Sequence, residues 1–157
     1  MVLGPVNVSS LPPSLVSLPS LDPPNSATVL VVDDDPMVLQ AVTLLLEDHG
    51  FTVLAAVDGV QGLQLYRNHR PDVVLTDIIM PEKEGIALTR ELRREFPDAV
   101  IVAMSGGGRM GNSDYVTIAR ALGADAGLYK PFDDDELVDA LRTALARDAK
   151  SKDASAA

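Results

Sequence analysis

The sequence predicts an α/β fold built on an open parallel sheet, and two observations carry that prediction. Five short β-type runs (Thr28–Val32, Thr52–Ala56, Asp72–Thr76, Ala99–Met104 and Ala126–Tyr129) begin about 20 to 28 residues apart. Segments of helical spacing lie between and after them. Strand and helix alternating in this way make the strands parallel and put helices on both faces. Five strands suit an open doubly wound sheet, because an eight-stranded barrel needs far more chain than 157 residues.

The elements follow in order. Thr28–Val32 is almost continuously apolar, as a strand covered on both faces should be. Asp35-Pro36 then offers a helix cap followed by proline at the first helical position. Val38, Ala41, Val42 and Leu45 give the first helix an apolar stripe, and Gly50 stands where it should stop. Tyr115, Ile118, Ala119 and Leu122 repeat the stripe in a fourth helix that Gly123 closes. Asp133 with Glu136 three residues on reads as a capping box for a last helix carrying Leu137, Ala140, Leu141, Ala144 and Leu145.

Three regions are expected. Residues 1–26 hold six of the eleven prolines and no Lys or Arg, and read as an extended, disordered arm. A Pro/Leu docking peptide is the functional alternative for that arm. Residues 27–147 form the folded domain, and 148–157 read as a frayed tail.

Composition narrows the chemistry. With 13 basic and 23 acidic residues the net charge is −10, which disfavours direct nucleic-acid binding. The chain has no cysteine and two histidines, so thiolate metal sites, disulfides and cysteine nucleophiles are excluded. No apolar run is long enough to cross a bilayer, and the first residues lack the charged start of a secretory signal. A cytoplasmic location is expected. His49 and His69 fall at helix ends, where a solvated cation is the ordinary role.

Ligands in open parallel sheets bind beyond the carboxyl ends of the strands. There the sequence places Asp33, Asp34 and Asp35 after the first strand and Asp77 after the third. Ser105 and the run Gly106, Gly107 and Gly108 follow the fourth, and Lys130, Pro131 and Phe132 the fifth. Singly, each is an ordinary cap, turn or surface residue. Together they converge carboxylates, a hydroxyl and an ammonium on one edge. An all-oxygen carboxylate set selects a hard cation such as Mg²⁺. A lysine and a hydroxyl beside it make a phosphoryl-binding set.

Val-Val-Asp-Asp-Asp-Pro at 31–36, Thr-Asp-Ile-Ile-Met-Pro at 76–81 with Gly85, Ser105, and Lys-Pro-Phe at 130–132 resemble the receiver domain of two-component response regulators. The resemblance runs in order and spacing from residue 27 to about 147. It implies a flavodoxin-like fold with strand order 2-1-3-4-5, which brings Asp33 and Asp34 to Asp77. It implies that Asp77 accepts a phosphoryl group from a sensor histidine kinase or a histidine phosphotransfer protein. It further implies Mg²⁺, with Mn²⁺ as a substitute, held by Asp33, Asp34, Asp77 and the backbone carbonyl of Ile79. Ser105 and Lys130 would bind phosphoryl oxygens, and Pro131 would follow a cis peptide bond. Such a domain, standing alone as a monomer or weak dimer, would signal to a downstream protein through its fourth helix, fifth strand and fifth helix.

Two other readings remain open at this stage. An aspartate-nucleophile, Mg²⁺-dependent phosphatase would use Asp33-x-Asp35 and leave Asp77 unexplained. A degenerate receiver would bind partners without phosphorylation.

The sequence departs from the family pattern in three respects. Gly127 stands where the family usually carries an aromatic ring three residues before the lysine, with Tyr129 two residues on. The glycines after Ser105 predict a mobile loop, ordered over Ser105–Arg109 when a phosphoryl group arrives. Ile79 and Gly107 carry no group that orients an attacking water, so hydrolysis of a phosphorylated Asp77 is expected to be slow. Ile79→Asn should accelerate it, measured as loss of the phosphoryl group by intact mass over time. An unchanged rate would remove this expectation.

Overall fold

The computed structural model describes residues 27–78, 84–106, 117 and 120–155. The sheet has the order β2-β1-β3-β4-β5 and all four pairings are parallel. Its strands are β1 (Thr28–Val32), β2 (Thr52–Ala56), β3 (Val73–Asp77), β4 (Ile101–Gly106) and β5 (Ala126–Lys130). The described helices are α1 (Pro36–Asp48), α2 (Gly59–His69), α3 (Glu84–Glu95) and α4 (Asp134–Ser155). This is the flavodoxin-like α/β arrangement that the sequence predicts.

Alternation along the strands divides the core in two. Val29, Val31, Val73, Leu75, Val102 and Met104 face α1 and α4, where Leu39, Leu46, Leu137 and Leu141 meet them. Leu30, Val32, Val74, Ile101 and Ala103 face α2 and α3, against Leu63, Tyr66, Leu88 and Leu92. Each fully buried Leu or Ile contributes on the order of 1.5–3 kcal/mol.

The helix ends are set by local chemistry. Asp35 caps α1, its carboxylate accepting from the Met37 amide at 2.9 Å. Gly50 takes φ +88° just past the end of α1, where an L side chain would be strained. Asp58 caps α2 by accepting from the Gln61 amide at 2.7 Å. At α4 the capping box is complete. The Glu136 amide donates to Asp133 at 2.8 Å, and the Asp133 amide donates to Glu136 at 3.1 Å.

The structure moves several expected boundaries. β3 begins at Val73, because the Asp72 carboxylate is used outside the strand to accept from the Thr28 amide at 2.7 Å. β4 begins at Ile101 and runs to Gly106, because Ser105 and Gly106 pair with Tyr129 and Lys130 of an equally extended β5. Gly106 is thus a strand residue, while Gly107 and Gly108 lie outside the described residues. On α1 the buried face is Leu39, Val42 and Leu46, and Ala41 is exposed. The sheet takes the bulkier leucines and leaves the smallest side chain on the solvent flank.

The expected frayed tail at 148–157 is helical as far as Ser155. Its Ala, Lys, Ser and Asp residues include no glycine or proline, and Lys152 pairs with Asp148 one turn back at 2.7 Å. Most of the expected fourth helix lies outside the described residues. Thr117, Arg120 and Ala121 are helical, and Gly123 follows with φ +116°. The arm at 1–26 also lies outside them.

One glycine bears directly on the candidate site. A Cβ at Gly85 would stand 2.0 Å from the Asp77 carbonyl oxygen and 2.8 Å from the Ile78 Cα, both backbone atoms. The first turn of α3 therefore rests on the main chain that carries Asp77. Gly85→Ala should cost about 1–3 kcal/mol through overpacking. Urea unfolding would show it as a lower midpoint with an unchanged slope.

Candidate phosphoryl and metal site

β1 and β3 are neighbours, with Val32 opposite Thr76, so the residues that follow them in sequence, Asp33 and Asp77, come side by side. Asp33 is fully buried and Asp77 nearly so, while Asp34 is exposed. Carboxylate oxygens of Asp33, Asp34 and Asp77 lie within 4.8 Å of one another. Two strands away, Lys130 ends β5 and extends its ammonium back to this cluster. It reaches Asp33 Oδ2 at 2.8 Å and Asp77 Oδ2 at 3.4 Å. The other oxygen of Asp33 accepts from the Asp35 amide at 2.9 Å. That bond locks the turn between β1 and α1.

Electrostatics explain the pairing. Burial draws the Lys130 ammonium toward its neutral form, but the Asp33 hydrogen bond and the charges of Asp77 and Asp33 outweigh it. The net effect is a pKa raised above the usual 10.5. The ammonium is therefore charged throughout the neutral range. Its stabilising contribution is present below that ordinary value and is lost only as the pH rises through the raised one.

Three carboxylates and one ammonium leave the cluster at −3 + 1 = −2. An all-oxygen group of this charge fits a hard divalent cation. Ser105 supplies a second sign of a missing partner. It is wholly buried near the end of β4, and its hydroxyl has no hydrogen-bond partner among the described residues. A buried hydroxyl left in this state costs about 1–3 kcal/mol, which an oxygen-rich ligand would recover.

Asp35 is occupied otherwise. Its carboxylate caps α1, so the Asp33-x-Asp35 pair of the phosphatase reading lacks its second free group. Ile79 and Gly107 lie outside the described residues. Pro131 follows a cis peptide bond from Lys130. Gly127 is part of β5, and Tyr129 is 43% exposed. His49 caps the end of α1, its Nδ1 2.8 Å from the Leu45 carbonyl, and His69 ends α2.

A family model described as the response regulator receiver domain matches residues 29–142. The chain belongs to that family. Receiver domains of this kind bind Mg²⁺ at an acidic pocket, are phosphorylated by histidine kinases and act on downstream partners. The chain is 37% identical to Protein PilH of Pseudomonas aeruginosa over 120 residues, covering 76% of this chain and 98% of PilH. It is 38% identical over 119 residues to the transcriptional regulatory protein CseB of Streptomyces avermitilis, covering 76% of this chain and 49% of CseB. The chain thus spans about half the length of CseB. Among solved structures, a receiver domain protein from Clostridium thermocellum is similar at 32% identity and a TM-score of 0.71. That match covers 77% of this chain and 95% of the other. A CheY-like receiver domain protein from Methanospirillum hungatei is similar at 27% identity and a TM-score of 0.71, covering 80% and 98%.

Sequence reasoning did not single out Met37, Val57 and Val60, which are 78%, 50% and 76% exposed at the same edge. Their signal was available: large apolar side chains flank the capping residues Asp35 and Asp58, where polar ones are expected.

Removing the ammonium should expose the charge imbalance. Lys130→Met is expected to lower stability by about 1–3 kcal/mol in metal-free buffer, because two buried carboxylates lose their cation. Added Mg²⁺ should then raise the melting temperature of the variant more than that of the wild type. Equal melting temperatures without metal would contradict this account of the pairing.

Proposed function

We propose that this receiver domain takes a phosphoryl group onto Asp77 from a phosphohistidine on a histidine kinase or phosphotransfer protein, in a reaction that requires Mg²⁺. The observation that carries the proposal is the convergence of Asp33, Asp34, Asp77 and Lys130 beside a buried Ser105 hydroxyl with no partner. Asp77 is the nucleophile. One of its carboxylate oxygens forms a bond to phosphorus as the donor's N–P bond breaks, and the electron pair returns to the imidazole nitrogen.

Asp33, Asp34 and Asp77 would hold the cation. When bound, Mg²⁺ would screen the incoming phosphoryl charge from these carboxylates. Lys130 has two roles in sequence. Before transfer it neutralises Asp33 and Asp77. Afterwards its ammonium binds a phosphoryl oxygen on Asp77, exchanging one anionic partner for another. Ser105 donates its unpaired hydroxyl to a further phosphoryl oxygen. Moving Lys130 and occupying Ser105 alters the ends of β5 and β4 together, and that change is what a downstream protein would read.

Intact-mass measurement after incubation with Mg²⁺ and phosphoramidate tests the reading. Wild type should gain one phosphoryl group, Asp77→Asn none, and wild type with excess chelator none. Labelling of Asp77→Asn equal to wild type would sink the assignment.

A further inference from the structure

Resting on that reading of Asp77, we infer that the carboxyl edge of the sheet sorts phosphoryl donors by charge. It disfavours small anionic donors and favours a protein whose phosphohistidine sits in a cationic, partly apolar surface. Two independent observations carry this.

The first is charge. Asp34 and Asp35 beyond β1, and Asp133, Asp134, Asp135 and Glu136 beyond β5, are all exposed at this edge. Helix capping accounts for Asp35, Asp133 and Glu136. Asp34 belongs to the cation cluster, while Asp134 and Asp135 exceed what a cap needs. Lys130 is the cation that the described residues place here, and it is already paired with Asp33 and Asp77. The sequence outside the described residues after β3 and β4 carries Lys83 and Arg109, matched by Glu82 and Asp114. A dianion approaching Asp77 therefore meets a negative field on both sides, whereas a cationic surface is drawn in.

The second is apolar exposure. Met37, Val57 and Val60 are three of the five large hydrophobic side chains that are exposed among the described residues. They sit on the β1–β2 side of the acidic centre, opposite the carboxylates of α4. Several large apolar side chains exposed along one sheet edge suit a protein contact rather than a small-molecule one. The complementary partner presents Lys or Arg toward α4 and an apolar patch toward α1 and α2, with its phosphohistidine between them.

The test compares labelling rates of the full chain at constant saturating Mg²⁺ with dianionic acetyl phosphate and with monoanionic phosphoramidate. The ratio of the two rates cancels effects common to both donors. It should rise about threefold or more between low salt and roughly 0.3 M salt, as screening shortens. Asp134→Asn/Asp135→Asn/Glu136→Gln should raise the low-salt ratio similarly and flatten its salt dependence. Glu47→Gln/Asp48→Asn/Asp153→Asn, with the same change in net charge at the far edge, should leave it unchanged. A helical phosphohistidine peptide flanked by lysine and leucine should label wild type faster than one flanked by glutamate, and salt should close that gap. A ratio indifferent to salt, or moved equally by both triple variants, overturns the charge sorting while leaving Asp77 as acceptor. Absence of label with every donor at every salt concentration overturns the phosphoacceptor reading, and this inference with it.

Discussion

A lysine ammonium held between two buried carboxylates governs this molecule. Asp33 and Asp77 end adjacent parallel strands, so the sheet forces them together, and Lys130 is the cation that makes their burial tolerable. The compensation is incomplete, because Asp34 stands beside them with its own charge. A site left at a net −2 is prepared for a divalent cation and, through it, for an anion. In the proposed reaction the same residues would serve first as a structural ion pair and then as a binding set.

The fold supports that arrangement from beneath. The parallel register places Val32 level with Thr76, Ala103 and Gly127, so Lys130 stands beyond the end of β1 and its long side chain reaches back to Asp33. Gly85 lets α3 rest on the backbone of Asp77, fixing that strand end by main-chain packing. The Asp33–Asp35 bond and the Asp35 cap tie the first loop to α1. Around that scaffold the Lys130 ammonium is paired with Asp33 and Asp77, while the buried Ser105 hydroxyl has no partner among the described residues.

Much of this was legible in the sequence. Alternating apolar runs, Asp35-Pro36, Gly50 and the Asp133–Glu136 box define elements through local physics, and the structure forms them. Boundaries were less legible where partners decide them. β4 reaches Gly106 because β5 extends to Lys130, and nothing in the local sequence says so. The stripe on α1 was misjudged by one position, since Ala41 fits the helical period as well as Leu39 and only the sheet's shape chooses between them. The helical stretch beyond residue 147 was missed because small polar residues suggest a tail, although Ala and Lys are good helix formers. The acidic centre was readable because chemistry sits where strands end. The Lys130–Asp33 pairing was not, because it depends on side-chain reach across β3 and β4.

The last helix joins two ends of the protein that otherwise share little. At 22 residues α4 is about 33 Å long, starting beside Lys130 and ending among Asp148 and Lys152 at the opposite edge. Its start is fastened by the Asp133–Glu136 box, and its middle is gripped by Leu137, Leu141 and Ala144. Such a rod behaves as a lever. A small tilt near its fastened end displaces the distant turns by a larger amount, so events around an aspartate can register on a surface no part of that aspartate touches.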